Sequence, residues 1–391
     1  MQVTVASATR LNEKESISMP VTSRGLSPFL LAPLLSLSTM ALADSAPGPV
    51  IDPEAIGLPQ TQEAPHDQRV TRFEIDEESN IVGEARVVEA EKEDTLLDIG
   101  RYYGIGYEEM RRANPGVSVW YPGEGTEVTV PTRFILPDTD HEGVVVNIPE
   151  MRLYYYPEQK EGEPAQVETY AISVGRMDWS TPLGETKITE KQKNPPWYPP
   201  QSIIKEHAED GRELPDVVPP GPDNPLGKYK MRLGIPGYLI HGTNRPQGVG
   251  MRVTHGCIRM FPEDVEHLFG QLPVGTQVNL VSEPTKFGWR DETLYVQSFP
   301  LLEEDRRSPV LKRVLDADEA LVATLKRHDI DTDIDHRRLT DAVLIPDGAA
   351  VALNVEPEEK APREPLPGSL YDALPTPPHL LYQSVKVLES P

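Results

Sequence analysis

Ile240-His241-Gly242-Thr243 and Thr254-His255-Gly256-Cys257-Ile258-Arg259-Met260 are the two stretches that decide how this chain reads. Cys257 is the single cysteine in 391 residues. A thiolate is a strong nucleophile, but a free cysteine with pKa about 8.5 is mostly protonated at neutral pH. A neighbouring imidazole can take the proton, so a Cys–His pair is the smallest apparatus for covalent acyl transfer. His241 follows the apolar run Tyr238-Leu239-Ile240, which puts it at the end of a strand. The intervening segment contains Gly242, Gly248 and Gly250, short and pliant enough to fold back and bring imidazole to thiol.

Working outward, residues 143–281 are rich in strand pattern. Val144 to Ile148 and Met151 to Tyr156 read as a hairpin around Pro149-Glu150, with further strands at 169–175 and 276–281. A Pro-rich stretch, from Asn194-Pro195-Pro196-Trp197-Tyr198 through Pro225-Leu226-Gly227, interrupts them. A loop that long inside a compact domain reads as a lid or groove wall; a scaffold loop with no substrate contact is the plainer alternative. After Cys257, Pro262 suits a first helical position, Glu263 and Asp264 the first turn, and Gly270 the C-terminal cap.

Upstream, Arg86-Val87-Val88-Glu89 reads as a strand, residues 94–103 and 107–114 as two short helices, and Thr126 to Val130 as a second strand. Residues 44–84 are acidic and Pro-rich and read as a linker. Residues 283–391 form a C-terminal extension. In it Trp289 and Thr293 to Val296 would add a strand to the preceding domain, 310–327 has helical spacing, and the Pro-rich tail reads as flexible. The fold class is therefore α+β and mainly β: a small βααβ module over 85–132, a β-rich domain over 140–282, and the extension.

At the N-terminus Arg24 precedes the apolar run Phe29 to Leu37, which closes on Ala41-Leu42-Ala43. A positive flank, a short apolar core and an A-x-A site make residues 1–43 a secretory signal, with Met19 a start that would give it ordinary length. Export to the periplasm is the consequence, with no membrane span after cleavage. A formal charge of −24 argues against nucleic acid as a partner. In an oxidising compartment a lone thiol not used for chemistry ends in an intermolecular disulfide or inert burial.

In the acyl-transfer reading His241 accepts the Cys257 proton, the thiolate attacks a peptide carbonyl, and backbone amides around His255-Gly256-Cys257 hold the oxyanion. The other chemistry open to His241, His255 and Cys257 is zinc ligation. His255 and Cys257 are only two residues apart, however, and no further ligand completes an evident site, so neither metal nor cofactor is expected.

His241, twelve residues, then Thr-His-Gly-Cys-Ile-Arg resembles the signature of the L,D-transpeptidase family with its YkuD-type catalytic domain. The resemblance implies that Cys257 is the nucleophile and His241 the proton carrier. Gly242 matches the position whose carbonyl orients the imidazole, and His255 and Gly256 the oxyanion loop. Arg259, with Arg252, Thr254 and Asn244 behind it, is the candidate for holding substrate. The papain-like peptidases, in which the nucleophile precedes the histidine, fit this chain order poorly. Asp94-Thr95-Leu96, Asn114-Pro115 and Pro122-Gly123 resemble a lysin motif (LysM), which implies binding to peptidoglycan glycan.

The family's donor is a peptidoglycan tetrapeptide stem, cut between the L-centre of diaminopimelate and the terminal D-alanine. The amine acceptor is a second stem's diaminopimelate, giving a 3→3 cross-link, or the C-terminal lysine of a Braun-type lipoprotein. The Pro-rich segment resembles the Gram-negative branch that includes both. Water as acceptor would make the same residues a hydrolase; a dead site would leave a peptidoglycan-binding protein. A LysM acting as a tether implies that deleting 85–132 spares turnover of soluble substrate.

Overall fold

The computed structural model describes residues 71–175, 181–209, 211–301 and 310–355. The export signal and the Pro-rich tail therefore lie outside the described residues, as does the linker up to residue 70. Beyond residue 70 the chain is already part of the fold and is not linker. β1 (Arg72–Glu74) pairs antiparallel with a central strand of the main sheet, and β2 (Ile81–Val82) pairs with a strand fifty residues on. Ile81 and Val82 are buried, and those two apolar side chains are what the acidic composition of the segment concealed.

The N-terminal module has the expected order: β3 (Arg86–Glu89), α1 (Leu96–Tyr102), α2 (Tyr107–Ala113) and β4 (Glu127–Val130), with β3 and β4 antiparallel. Thr95 caps α1 in a reciprocal box: its hydroxyl accepts from the Asp98 amide and the Asp98 carboxylate accepts from the Thr95 amide. Asn114 ends α2 and clasps β4, donating to the Met110 and Thr129 carbonyls and accepting from the Thr129 amide. A short strand, β5 (Phe134–Ile135), is the partner of β2.

The main sheet comes next in the chain. Its strands are β6 (Gly143–Asn147), β7 (Arg152–Tyr156), β8 (Gln166–Gly175), β9 (Gly184–Lys193), β10 (Tyr229–Leu233), β11 (Leu239–His241), β12 (Arg252–Thr254), β13 (Ile258–Met260) and β14 (Gln277–Val281). Pairing runs β8-β13-β11-β10-β9-β14-β6-β7, and β7 pairs back on β8, so the sheet closes on itself as a barrel. β6 and β7 meet across Asn147 and Arg152, the hairpin expected there.

Side-chain alternation explains why the strands are buried on both faces. Val144, Val146, Leu153, Tyr170 and Ile172 point into the barrel, where Ile240, Ile258 and Met260 meet them. Val145, Tyr154, Tyr156 and Val167 point outward and share one core with Val88, Leu96, Ile99, Ile105, Met110 and Val128 of the N-terminal module. The module is thus packed onto the barrel wall, which does not fit a tether hanging from the catalytic domain.

Between β9 and β10 the Pro-rich segment contains α3 (Gln201–Glu209). After β13 comes α4 (Pro262–Gln271), with Pro262 at its first position. It runs one residue past Gly270, and its last turn closes through the Leu272 amide on the Leu268 carbonyl instead of a glycine cap. The C-terminal strands β15 (Thr285–Arg290), β16 (Thr293–Ser298) and β17 (Ala350–Ala352) form their own three-stranded sheet, so they do not extend the barrel. α5 (Val310–Arg327) and α6 (His336–Leu344) cover that sheet, with Leu321, Leu339 and Val343 on Phe287, Leu294 and Val296. Among the described residues no helix is long and apolar enough to cross a membrane.

Candidate active site

His241 ends β11 and Cys257 immediately precedes β13, and these two strands are adjacent, parallel and in register at Ile240–Ile258 and His241–Arg259. That register sets Cys257 level with Leu239, two residues back from His241 along the neighbouring strand, and a two-residue offset keeps the side chains on one face of the sheet. Both residues line a cleft of about 450 Å³.

The imidazole of His241 is buried, and its Nδ1 lies 2.6 Å from the Gly242 carbonyl oxygen. A carbonyl only accepts, so Nδ1 carries the proton and neutral Nε2 keeps its lone pair for the cleft. Burial, then the positive charge of Arg259, pushes the His241 pKa down to about 3. Burial likewise raises the Cys257 thiol pKa, while the Leu239 backbone and Arg259 pull it down. At neutral pH the resting site therefore holds a thiol and a neutral imidazole.

The turn at Cys257 is pinned at two carbonyls. Thr254 Oγ1 donates to the Cys257 carbonyl at 2.6 Å, and Thr181 Oγ1 donates to the Gly256 carbonyl at 2.9 Å. Gly256 has φ +95°, a conformation that favours glycine, so the turn depends on that residue. His255 Nε2 lies 2.8 Å from the Glu206 carboxylate, on α3. The Pro-rich segment is therefore a wall of the cleft: Trp197, Tyr198, Ile203, His207, Leu214 and Pro225 all face it.

Of the residues singled out in the sequence, Thr254, Asn244, His255 and Arg259 line the cleft with His241 and Cys257. Arg252 does not; its Nε and Nη2 donate to the Gly175 carbonyl at 3.1 and 3.0 Å, so its guanidinium braces the end of β8. His207 faces the cleft, and His267 lies 3.0 Å from the buried Glu168 carboxylate.

Sequence reasoning missed Glu206 and Thr181, whose partners lie tens of residues away with no local signal. It also missed the charge of the cleft. Among the described residues Arg212, Lys230, Arg232, Arg245 and Arg259 line it with the carboxylate Asp223, in a chain of net charge −24, and Glu190 pairs with Lys230 and Arg232 at 4.0 and 3.1 Å. A period-two signal for part of this was present: Lys230 and Arg232 flank buried Met231 on β10.

Comparison with known proteins agrees with this geometry. The YkuD family, described as the L,D-transpeptidase catalytic domain, matches residues 141–280. A Salmonella typhimurium protein named "Probable L,D-transpeptidase ErfK/SrfK" is 42% identical over 214 residues, which cover 54% of this chain and 68% of the relative. The chain belongs to the L,D-transpeptidase family. An Escherichia coli K12 relative named "Probable L,D-transpeptidase YbiS" is 42% identical over 211 residues, 53% of this chain and 67% of its own length. Another K12 relative, "Probable L,D-transpeptidase YcfS", is 41% identical over 213 residues, covering 53% and 65%. The matched family region spans the barrel from its first hairpin through β14, with both motif stretches inside it.

Proposed function

We propose that this L,D-transpeptidase works in the periplasm on peptidoglycan tetrapeptide stems, with Cys257 as nucleophile and His241 as proton carrier. In the first half-reaction His241 Nε2 takes the Sγ proton as sulfur attacks the carbonyl at the L-centre of diaminopimelate. Amides of the 255–257 turn receive the oxyanion, and the pinned carbonyls of Gly256 and Cys257 keep that turn rigid while charge develops. Collapse expels D-alanine, whose amine takes the proton from His241 Nε2, and leaves a thioester. An acceptor amine then attacks the thioester, gives its proton to His241, and releases the thiolate, which recovers it. Gly242 serves throughout by fixing the tautomer.

One observation carries the reading: a thiol and an imidazole whose Nδ1 holds its proton line one cleft from adjacent strands, together with Arg212, Arg245 and Arg259. Cation-lined clefts attract carboxylates, and a tetrapeptide stem carries several. Arg259, Thr254 and Asn244 line the cleft as candidates for holding it; Arg252 supports the strand instead. Periplasmic location is supported by the export pattern of residues 1–43. The βααβ order and Asn114 clasp of the N-terminal module support a LysM that binds the glycan strand.

The test is product analysis. Purified protein is incubated with disaccharide-tetrapeptide, with and without a lipoprotein C-terminal peptide ending in lysine. Expected are D-alanine release and an amide-linked product, either the 3→3 dimer or the peptide conjugate. D-alanine release with tripeptide as the sole product would make the enzyme a hydrolase; no release at all would overturn the proposal.

A further inference from the structure

The segment joining His241 to Cys257 is held at three successive carbonyls. Gly248 accepts from Ser173 Oγ at 2.8 Å, Val249 from the Tyr107 amide at 3.0 Å, and Gly250 from the Glu108 amide at 3.3 Å. The last two donors belong to the first turn of α2, where backbone N–H groups have no partner within the helix. This approach requires glycine on both sides. Gly250 has φ +90°, and a Cβ there would come within 2.3 Å of the Tyr107 nitrogen. A Cβ on Gly106 would meet the Gly250 Cα at 2.7 Å.

The same stretch of the module is fixed to the barrel by buried ion pairs on either side. Glu109 accepts the Gly106 amide and grips Arg152 of β7 through two guanidinium nitrogens. Arg101 of α1 forms a two-pronged pair, both bonds 2.8 Å, with Glu263 at the start of α4, four residues beyond Arg259. The element before the nucleophile and the one after it are therefore both tied to the N-terminal module.

We infer that the Gly106–Glu108 segment is a positioning element of the active site: its amides set the loop that carries the base round to the nucleophile. The N-terminal module is then a working part of the transpeptidase as well as its proposed contact with the wall. This rests on the assignment of Cys257 and His241 above.

A single amide can be removed to test it. Tyr107 is the first residue of α2, where proline is well tolerated, so Tyr107→Pro deletes the donor to Val249 and keeps the helix. Tyr107→Ala removes the side chain and keeps the donor, so the difference between the two variants reads the amide alone. In the full chain, D-alanine release is followed in single turnover, KM is measured, and Cys257 alkylation by iodoacetamide is recorded against pH. Relative to Tyr107→Ala, the proline variant is expected to release D-alanine about fivefold more slowly, the loss expected of one net hydrogen bond. KM should be unchanged, and the alkylation profile displaced.

Gly106→Ala, at φ −83° where alanine is comfortable, forces the two backbones apart and should change both readouts in the same direction. Equal rates and superposable alkylation profiles for the proline and alanine variants at 107, with Gly106→Ala matching wild type, would overturn the inference while Cys257→Ser is inert. Turnover surviving in Cys257→Ser would overturn it together with the assignment beneath it.

Discussion

The seam under the N-terminal module buries Arg101 and Arg152, and the cleft beside it buries His241 to similar depth, yet the two places leave these groups in opposite states. In the seam, burial alone would depress the Arg101 and Arg152 pKa values; Glu263 and Glu109 more than reverse this, and both guanidiniums stay charged. In the cleft no opposite charge offsets the burial of His241, and Arg259 drives it further toward neutrality. Cys257 is also held neutral by burial. Desolvation is the same force in both places, and the nearest charge decides its outcome. The seam is built from finished ion pairs. The cleft holds a neutral thiol and a neutral imidazole, whose ion pair would form only when, as proposed, the reaction moves the proton.

That contrast can be broken from either side. The largest effect belongs to the cleft: Cys257→Ser should lower D-alanine release by about a thousandfold or more, while urea unfolding stays near wild type. Retained release would remove Cys257 from the mechanism. On the seam side Glu263→Ala strands a buried guanidinium and should cost about 3–5 kcal/mol of stability, read by urea unfolding. A loss below about 1 kcal/mol would mean that Arg101 finds water or another partner.

The pH response sharpens the comparison. Folded His241 stays neutral down to about pH 3, whereas an unfolded histidine takes a proton near 6.5. Below 6.5 the unfolded chain binds more protons, so stability falls as pH is lowered through that window. Between about pH 7 and 5 the decline should be shallower in His241→Gln than in wild type; parallel curves would contradict a buried neutral imidazole. The smallest effect is expected at the junction of wall and turn. Glu206→Gln loosens His255 and should lower kcat about threefold to tenfold, with unfolding within about 0.5 kcal/mol of wild type. A stability loss with kcat unchanged would make the contact purely structural.

Much of this was legible in the sequence because the deciding signals are local. Cys257, His241 and the glycine between strand and loop lie within about twenty residues, and the βααβ order is set by capping and periodicity such as Thr95–Asp98 and Asn114. What escaped is what sequence spacing cannot carry. Glu206 meets His255 across 49 residues, Thr181 meets Gly256 across 75, and Arg101 meets Glu263 across 162. The same blindness made the N-terminal module look like a tether. Its strands and helices were plain, but the two glycines that let Gly106 lie against Gly250 show their purpose only when the fold brings them together. The C-terminal strands were likewise visible as strands, while their partners in β17 and their cover in α5 and α6 were not.

The central claim is that Cys257 carries the acyl group. Intact-protein mass spectrometry during incubation with disaccharide-tetrapeptide, quenched at low pH, tests it directly. The account predicts a mass increase equal to the disaccharide-tripeptide acyl group, mapped to Cys257, matched by stoichiometric D-alanine, and absent from Cys257→Ser. D-alanine release at full rate with no adduct, or an adduct on another side chain, would contradict it.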